Sequence, residues 1–356
     1  MNAQDYTVNP PSVIGQNRGI SRIIQLTLLL LSSCAPGMDV GGPPFSVDLL
    51  PPELQMAVTP DGRSIRFVFD EEVNPTPAEI TVQPELPVAS VTAEENSLTV
   101  AFAADQLIGK AYTARVTIGD NSGNTLSFLY SFSGWNPRVP EILINELNPR
   151  GSGNNPDCIE LFTVTGGNLG GLCLKIGTST RYSSEIIFPA IEIPDGEYIL
   201  IHAKAEGIPE EIDELEDLSE SGGLLASDTA RDFWIPGAPG LPGNNGAVTL
   251  YNRKGGEVID AVLWSNRADD SNDEKLGWTS EGYIFASELG MLNAWDAEIA
   301  GVPYPSEAID VSHSTATRSL CRAGIPEDSN RNIDWHTVPT RGGTFGGVNT
   351  DEVYVP

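Results

Sequence analysis

The stretch Tyr112-Thr113-Ala114-Arg115-Val116-Thr117-Ile118 decides the fold class. Apolar side chains stand at every second position, with Thr or Arg between them. A β-strand turns successive side chains to opposite faces, so one face of this segment suits a core and the other suits water. The same alternation sets Ile65, Phe67 and Phe69 against Ser64, Arg66 and Asp70. It recurs at Leu98, Val100 and Phe102, and Leu126, Phe128, Tyr130 and Phe132 close the series. Turn formers separate the runs: Pro60-Asp61-Gly62, Glu94-Glu95-Asn96 and Asp120-Asn121-Ser122-Gly123-Asn124. Together these predict an antiparallel sandwich over residues 45–137.

Composition points the same way. The 356 residues are enough for two or three cores, and 36 Gly with 27 Pro favour many short strands joined by turns. The net charge of −29 argues against nucleic acid, because Lys and Arg, which bind phosphates, are outnumbered 20 to 49. It equally disfavours electrostatic adhesion to anionic lipid.

Within residues 45–137, Thr59-Pro60-Asp61-Gly62 through Ile65, Phe67, Phe69, Glu72 and Val73 resembles the opening of bacterial Ig-like domains of the surface-layer type. Leu107-Ile108-Gly109-Lys110-Ala111-Tyr112, the Asp120–Asn124 turn and Phe132 resemble the ending of the same family. The resemblance implies a spacer or binding module, not an enzyme. Asp120 and Asn124 read as a turn that binds its own backbone rather than a cation.

After Pro137 and Pro140 the strand pattern restarts, in the region 138–350. It runs through Glu141–Pro149, Asp157–Phe162, Leu169–Leu174, Asp195–Ile201, Asn245–Tyr251 and Gly256–Val262. With Arg318–Arg322, Asp328–Trp335 and Gly342–Asn349, this ordered series resembles the lamin-tail domain. That family implies an Ig-like β-sandwich, found in nuclear lamins and in many exported bacterial proteins. Two insertions depart from the pattern. The acidic one, at 205–233, reads as a solvated loop. The other, at 266–316, holds the best helix candidate, Ser280–Ala297, with Ile284, Phe285, Leu289, Leu292 and Trp295 on one face. Residues 351–356 read as a tail.

The N-terminus reads as an address. The apolar run 23–31 is too short for a bilayer, which needs about 20 residues. Arg18 and Arg22 precede it and Ser32 and Ser33 follow, the order of a secretory signal over residues 1–33. Leu31-Ser32-Ser33-Cys34 resembles a bacterial lipobox, which implies acylation of Cys34 at the new N-terminus, with palmitate-type chains as the anchor. Residues 34–44 then form a Pro/Gly-rich tether. Removing residues 1–33 takes away only Arg18, Arg22 and Asp5 among the charged groups, so the acidity belongs to the exported part.

Candidate chemistry is sparse. His202, His313 and His336 stand in no ligand or triad spacing. No phosphate loop, dinucleotide fingerprint or nucleophile elbow occurs in the sequence. Asp328, Asn330, Asn332 and Asp334 are spaced like the first oxygens of a calcium loop. Ile333 stands where that loop needs Gly and Pro339 where it needs Glu, so only a loose Ca²⁺ site remains open there. The run Asp269, Asp270, Asn272, Asp273 is weaker still. Three thiols, Cys158, Cys173 and Cys321, remain once Cys34 is lipidated; a pair between Cys158 and Cys173 and buried free thiols are both open readings.

The expectation is an all-β protein: two Ig-like β-sandwich domains in tandem after a lipoprotein signal peptide. It places the chain in the bacterial envelope, held through Cys34, in the outer membrane by the absence of an acidic residue after that Cys. The expected role is non-enzymatic binding, adhesion or structure, with a protein or polysaccharide as ligand and no resident cofactor. The alternative is an exported metal-dependent hydrolase, or an accessory module of one.

Overall fold

The computed structural model describes residues 48–267, 277–298, 301–324 and 326–356. The first seven strands are β1 (Leu54–Asp61), β2 (Ser64–Phe69), β3 (Val73–Gln83), β4 (Val88–Glu94), β5 (Ser97–Phe102), β6 (Ala111–Asp120) and β7 (Thr125–Ser133). They form a sheet in the order β1-β2-β5-β4 facing another in the order β3-β6-β7. That is the strand order of a constant-type immunoglobulin sandwich. The alternating apolar residues meet between the sheets: Ile65, Phe67, Phe69, Leu98, Val100, Tyr112, Val116 and Ile118 are all buried in one cluster. At about 1.5–3 kcal/mol for each large apolar side chain, this burial is the principal favourable term. Strand β3 escaped the sequence reading because Pro75 and Pro77 interrupt it, and its register with β6 slips between Asn74 and Glu79.

The chain continues through β8 (Glu141–Leu147), β9 (Cys158–Thr165), β10 (Gly167–Asn168), β11 (Cys173–Gly177), β12 (Tyr182–Ile187), β13 (Glu192–Ile193) and β14 (Tyr198–His202). Then come β15 (Arg231–Trp234), β16 (Asn245–Tyr251), β17 (Val258–Ser265), helix α1 (Ser280–Met291), β18 (Ile309–Asp310), β19 (Leu320–Arg322) and β20 (Trp335–Thr337). A five-stranded sheet, β12-β11-β16-β17-β18, packs on a six-stranded one, β15-β14-β9-β8-β19-β20. A second apolar cluster fills the space between them, with Ile144, Leu161, Leu174, Ile201, Val248, Val262 and Trp264 all buried. The all-β expectation holds. No helix among the described residues is long and apolar enough to cross a membrane.

The helix is shorter than its sequence suggested. Thr279 caps its start by accepting from the Gly282 N–H at 3.1 Å. It stops at Met291 because Asn293 adopts φ 53° and the Ala294 N–H returns to the Leu289 carbonyl, a Schellman closure with Asn in the left-handed position. Phe285 and Leu289 are buried, Trp295 is buried beyond the helix, and Ile284 and Leu292 are exposed. Glu288 reaches from the helix to the 178–180 loop, where Thr178, Ser179 and Thr180 all donate to its carboxylate.

Both clusters lie in one compact unit, residues 48–356. The loop holding Gly109 presses on Gly170 and Gly171; a Cβ at Gly109 would stand 2.5 Å from their backbone, and its φ is +65°. Asn136 ties the connection down by donating to the carbonyls of Asn168 and Gly170 at 2.7 and 3.1 Å. The C-terminal segment is fastened too, rather than a free tail. Tyr354 N–H donates to the Thr337 carbonyl at 2.8 Å, and the Arg318 guanidinium lies 4.1 Å over the Tyr354 ring.

Candidate functional site

An antiparallel sandwich ordinarily shows the outer face of each sheet to water. The six-stranded sheet departs from that. Its inner positions Ile159, Leu161, Ile199 and Ile201 fill the core, yet the outward positions Cys158, Glu160, Leu200 and His202 are also buried. Two segments roof this face.

The acidic insertion covers one end. Strand β15 is the sheet edge, whose outward N–H groups would otherwise lack partners. Glu214 accepts from the Asp232 N–H at 2.8 Å and Asp213 from the Trp234 N–H at 2.8 Å, so carboxylates replace the missing neighbour strand. Arg231 clamps the insertion from below, donating to the carbonyls of Glu214 and Leu215 while pairing with Glu197 at 2.6 Å. This corrects the reading of 205–233 as a merely solvated loop. The charges at Asp213 and Glu214 are there to close an edge. Beneath them, His202 Nε2 meets Asp232 Oδ1 at 2.7 Å, and the imidazole stacks on Trp234 with centroids 3.7 Å apart.

A C-terminal strap, residues 343–350, covers the middle of the face. A bulge between Ile144 and Glu146 in β8 turns Glu146 outward, directly opposite Glu160 on β9. Both carboxylates are fully buried. Glu146 accepts from the Thr344 N–H, the Thr344 hydroxyl at 2.7 Å and the Ser319 hydroxyl. Glu160 accepts from the Gly346 N–H at 2.6 Å and from Asn145 Nδ2 at 2.7 Å. Asn349 completes the lock by donating to Asn145 and to the Arg322 carbonyl. The two roofs meet at Gly346, where a Cβ would stand 2.6 Å from Ser227 Oγ and φ is +83°.

Burial and the neighbouring Glu146 push the Glu160 carboxyl up to about 8, and burial also raises Glu146. A carboxyl pair sharing one proton is a familiar feature of catalytic sites. Here the oxygens face donors of the strap and sheet. What the pair does chemically is hold the strap.

Thiols flank the pair. Cys158 lies beneath Leu225 and Phe345, and Cys321 Sγ is 3.5 Å from His336 Nε2, which also meets the Thr350 carbonyl at 3.0 Å. Cys158, Cys173 and Cys321 are all free and buried, so no Cys158–Cys173 bridge forms. Burial first, and nearby carboxylates second, raise all three well above the ordinary thiol value, which makes them inert as nucleophiles.

Asp328, Asn330, Asn332 and Asp334 turn to partners within the chain. Arg322, fully buried, holds Asp328 at 3.2 Å and Asp334 at 3.5 Å. Asp334 also accepts from Ser329, and Asn332 donates to the Ser306 carbonyl at 3.0 Å. A guanidinium thus pairs with two of the four residues of the calcium reading. Asp120 accepts from the Ser122 and Asn124 N–H groups at 2.8 Å, as a self-binding turn does. Its neighbours Asp48 and Glu71 complete an acidic group. Cys34 and the run 269–273 lie outside the described residues.

Two of the cavities among the described residues border these elements. One, about 330 Å³, borders the strap and is lined by Asn148, Ser319, Arg341 and Phe345. The other, about 260 Å³, lies between the two sandwiches beside Trp135.

The sequence series through Glu146 and Glu160 was visible, but not their role. Alternation assigns outward carboxylates to water, and only the roofing segments reverse that.

An uncharacterized protein of Treponema pallidum (strain Nichols) is 28% identical over 160 residues, 45% of this chain and 40% of that protein. The match thus spans well under half of that relative's length. The crystal structure of dimeric latent PorU from Porphyromonas gingivalis aligns with 45% of this chain and 18% of that one, at 18% identity and a TM-score of 0.19. That likeness is too slight to carry an argument. Residues 140–337, more than half of the chain, match the family described as the TP_1001 protein second domain. Strands β8 to β20 and the acidic roof fall within that match, the 343–350 strap lies just beyond it, and the chain belongs to the TP_1001 second-domain family.

Proposed function

We propose that this chain is a lipid-anchored protein of the bacterial envelope, acting as a binding or adhesion scaffold rather than an enzyme. One observation carries the scaffold reading: Glu146 and Glu160, the most perturbed carboxyl pair, are both spent on donors of the strap. The anchor reading rests on the apolar run 23–31 followed by Leu31-Ser32-Ser33-Cys34. The acidic surface keeps such a protein soluble and away from anionic lipid, leaving the acyl chains as its membrane contact. Its ligand is a protein or polysaccharide of the envelope or beyond it.

Metabolic labelling with a clickable fatty acid tests the anchor, followed by pull-down of the chain from solubilised envelope. Wild type is expected to take up label and to retain a partner, and Cys34→Ala to lose the label. Label persisting in Cys34→Ala contradicts the anchor. Fatty-acid-independent turnover of a substrate by the purified chain contradicts the scaffold.

A further inference from the structure

The cleft between the sandwiches gathers several side chains with polar groups not engaged within the chain. Its walls come from Thr59 and Trp135 on one side and from Asn252, Arg253 and Glu257, at the β16–β17 turn, on the other. Among the described residues, no ion pair engages Arg253 or Glu257 and no hydrogen bond engages the Trp135 indole N–H. The Asn252 carbonyl oxygen accepts from the Glu257 N–H at 3.0 Å, which fixes the turn and leaves the amide NH₂ for another partner.

The walls are also held at a set distance. Gly109 against Gly170 and Gly171 leaves no room for a side chain, and Asn136 bonds across the connection. Sites between domains that are formed in advance are common places for small ligands. At about 260 Å³ the cleft lies below the roughly 300–1,000 Å³ of drug-sized sites, so it admits about one ring.

We propose that this cleft binds one pyranose unit of a saccharide. A sugar ring has an apolar face of C–H groups and an edge of vicinal hydroxyls. Trp135 offers the flat aromatic surface for that face. Arg253, Glu257 and Asn252 are planar groups with paired donors or acceptors, the geometry that reads adjacent hydroxyls two at a time. The cleft deepens the binding reading above and rests on it.

The test is a glycan array probed with the purified full chain, followed by calorimetric titration of the best-bound soluble saccharide. Wild type is expected to bind with saturation. Trp135→Ala and Arg253→Met should weaken binding at least about tenfold, Trp135→Phe by about threefold, and Arg341→Ala, in the other cavity, not at all. Melting curves of each variant show whether the fold persists; Trp135→Phe keeps the packing, so its graded loss separates stacking from unfolding. The proposal is overturned if no saccharide binds, or if binding survives in folded Trp135→Ala and Arg253→Met. A partner still retained from the envelope in that case leaves the scaffold reading standing with a protein ligand.

Discussion

Replacing Arg322 with methionine is expected to cost about 3–5 kcal/mol of stability, the largest effect of any single change considered. Arg322 lies across the second core. Nε donates to the Ile144 carbonyl at 2.8 Å, Nη1 to the Glu327 carbonyl at 2.7 Å, and Nη2 pairs with Asp260 at 3.2 Å. Its guanidinium also lies 4.8 Å over the Trp335 ring. Asp260 sits on the opposite sheet, is fully buried, and is raised to about 6 by that burial even with Arg322 beside it. Taking the cation away leaves a buried carboxylate with no counter-charge and two carbonyls with no donor. The Asp328–Asp334 turn loses its anchor in the same step. Urea unfolding checks the size of the loss. Adding Asp260→Asn to Arg322→Met should return part of it, because a neutral amide needs no partner cation. A single-variant loss under about 1 kcal/mol would show that the cluster is not the anchor described.

The second large effect is an inverted pH dependence. Many proteins lose stability in acid because native carboxylates must be protonated. Here five buried carboxyls are raised, Glu160 to about 8 and Asp260 to about 6, with Glu146, Asp157 and Glu214 shifted in the same direction. Only Glu288 and Asp120 among the buried carboxyls with a resolved shift go the other way. A raised carboxyl binds its proton more tightly folded than unfolded. Its contribution is complete below the ordinary carboxyl value and is lost as pH rises through the folded one. Stability should therefore fall between pH 5 and 9, by an amount on the order of 4 kcal/mol from Glu160. Growing net negative charge acts in the same direction, so a control is needed. Glu160→Gln is close in shape, has no proton to lose, and keeps an acceptor for the Gly346 N–H. Its melting temperature should vary much less over that range. Equal slopes in wild type and Glu160→Gln would place the titration elsewhere.

Much of the fold was legible because its cause is local. Alternation at Ile65–Phe69 and Tyr112–Ile118, with turn formers between runs, carries the strand content within the sequence itself. The helix boundary was not, since Trp295 looks continuous with the apolar face until Asn293 breaks the backbone. Edge strand β15 and the roofs were hidden for a different reason. The Asp213 and Glu214 carboxylates read as solvated charge until the chain brings Asp232 and Trp234 alongside them. Glu146 and Glu160 are 14 residues apart in sequence, but their partners Thr344 and Gly346 lie nearly 200 residues away. No spacing rule spans that separation. The counter-charge that Asp328 and Asp334 take was hidden for the same reason, because Arg322 comes from a strand outside the motif.

Native-state hydrogen exchange at the Thr344 and Gly346 amides asks whether the carboxyl pair is fastened or working. Held by Glu146 and Glu160, both amides should open with free energies near that of global unfolding, like those of the central strands. Exchange close to the unprotected rate, with β8 and β9 still protected, would mean that the strap lifts and the carboxyls meet solvent. That result would contradict the closed scaffold.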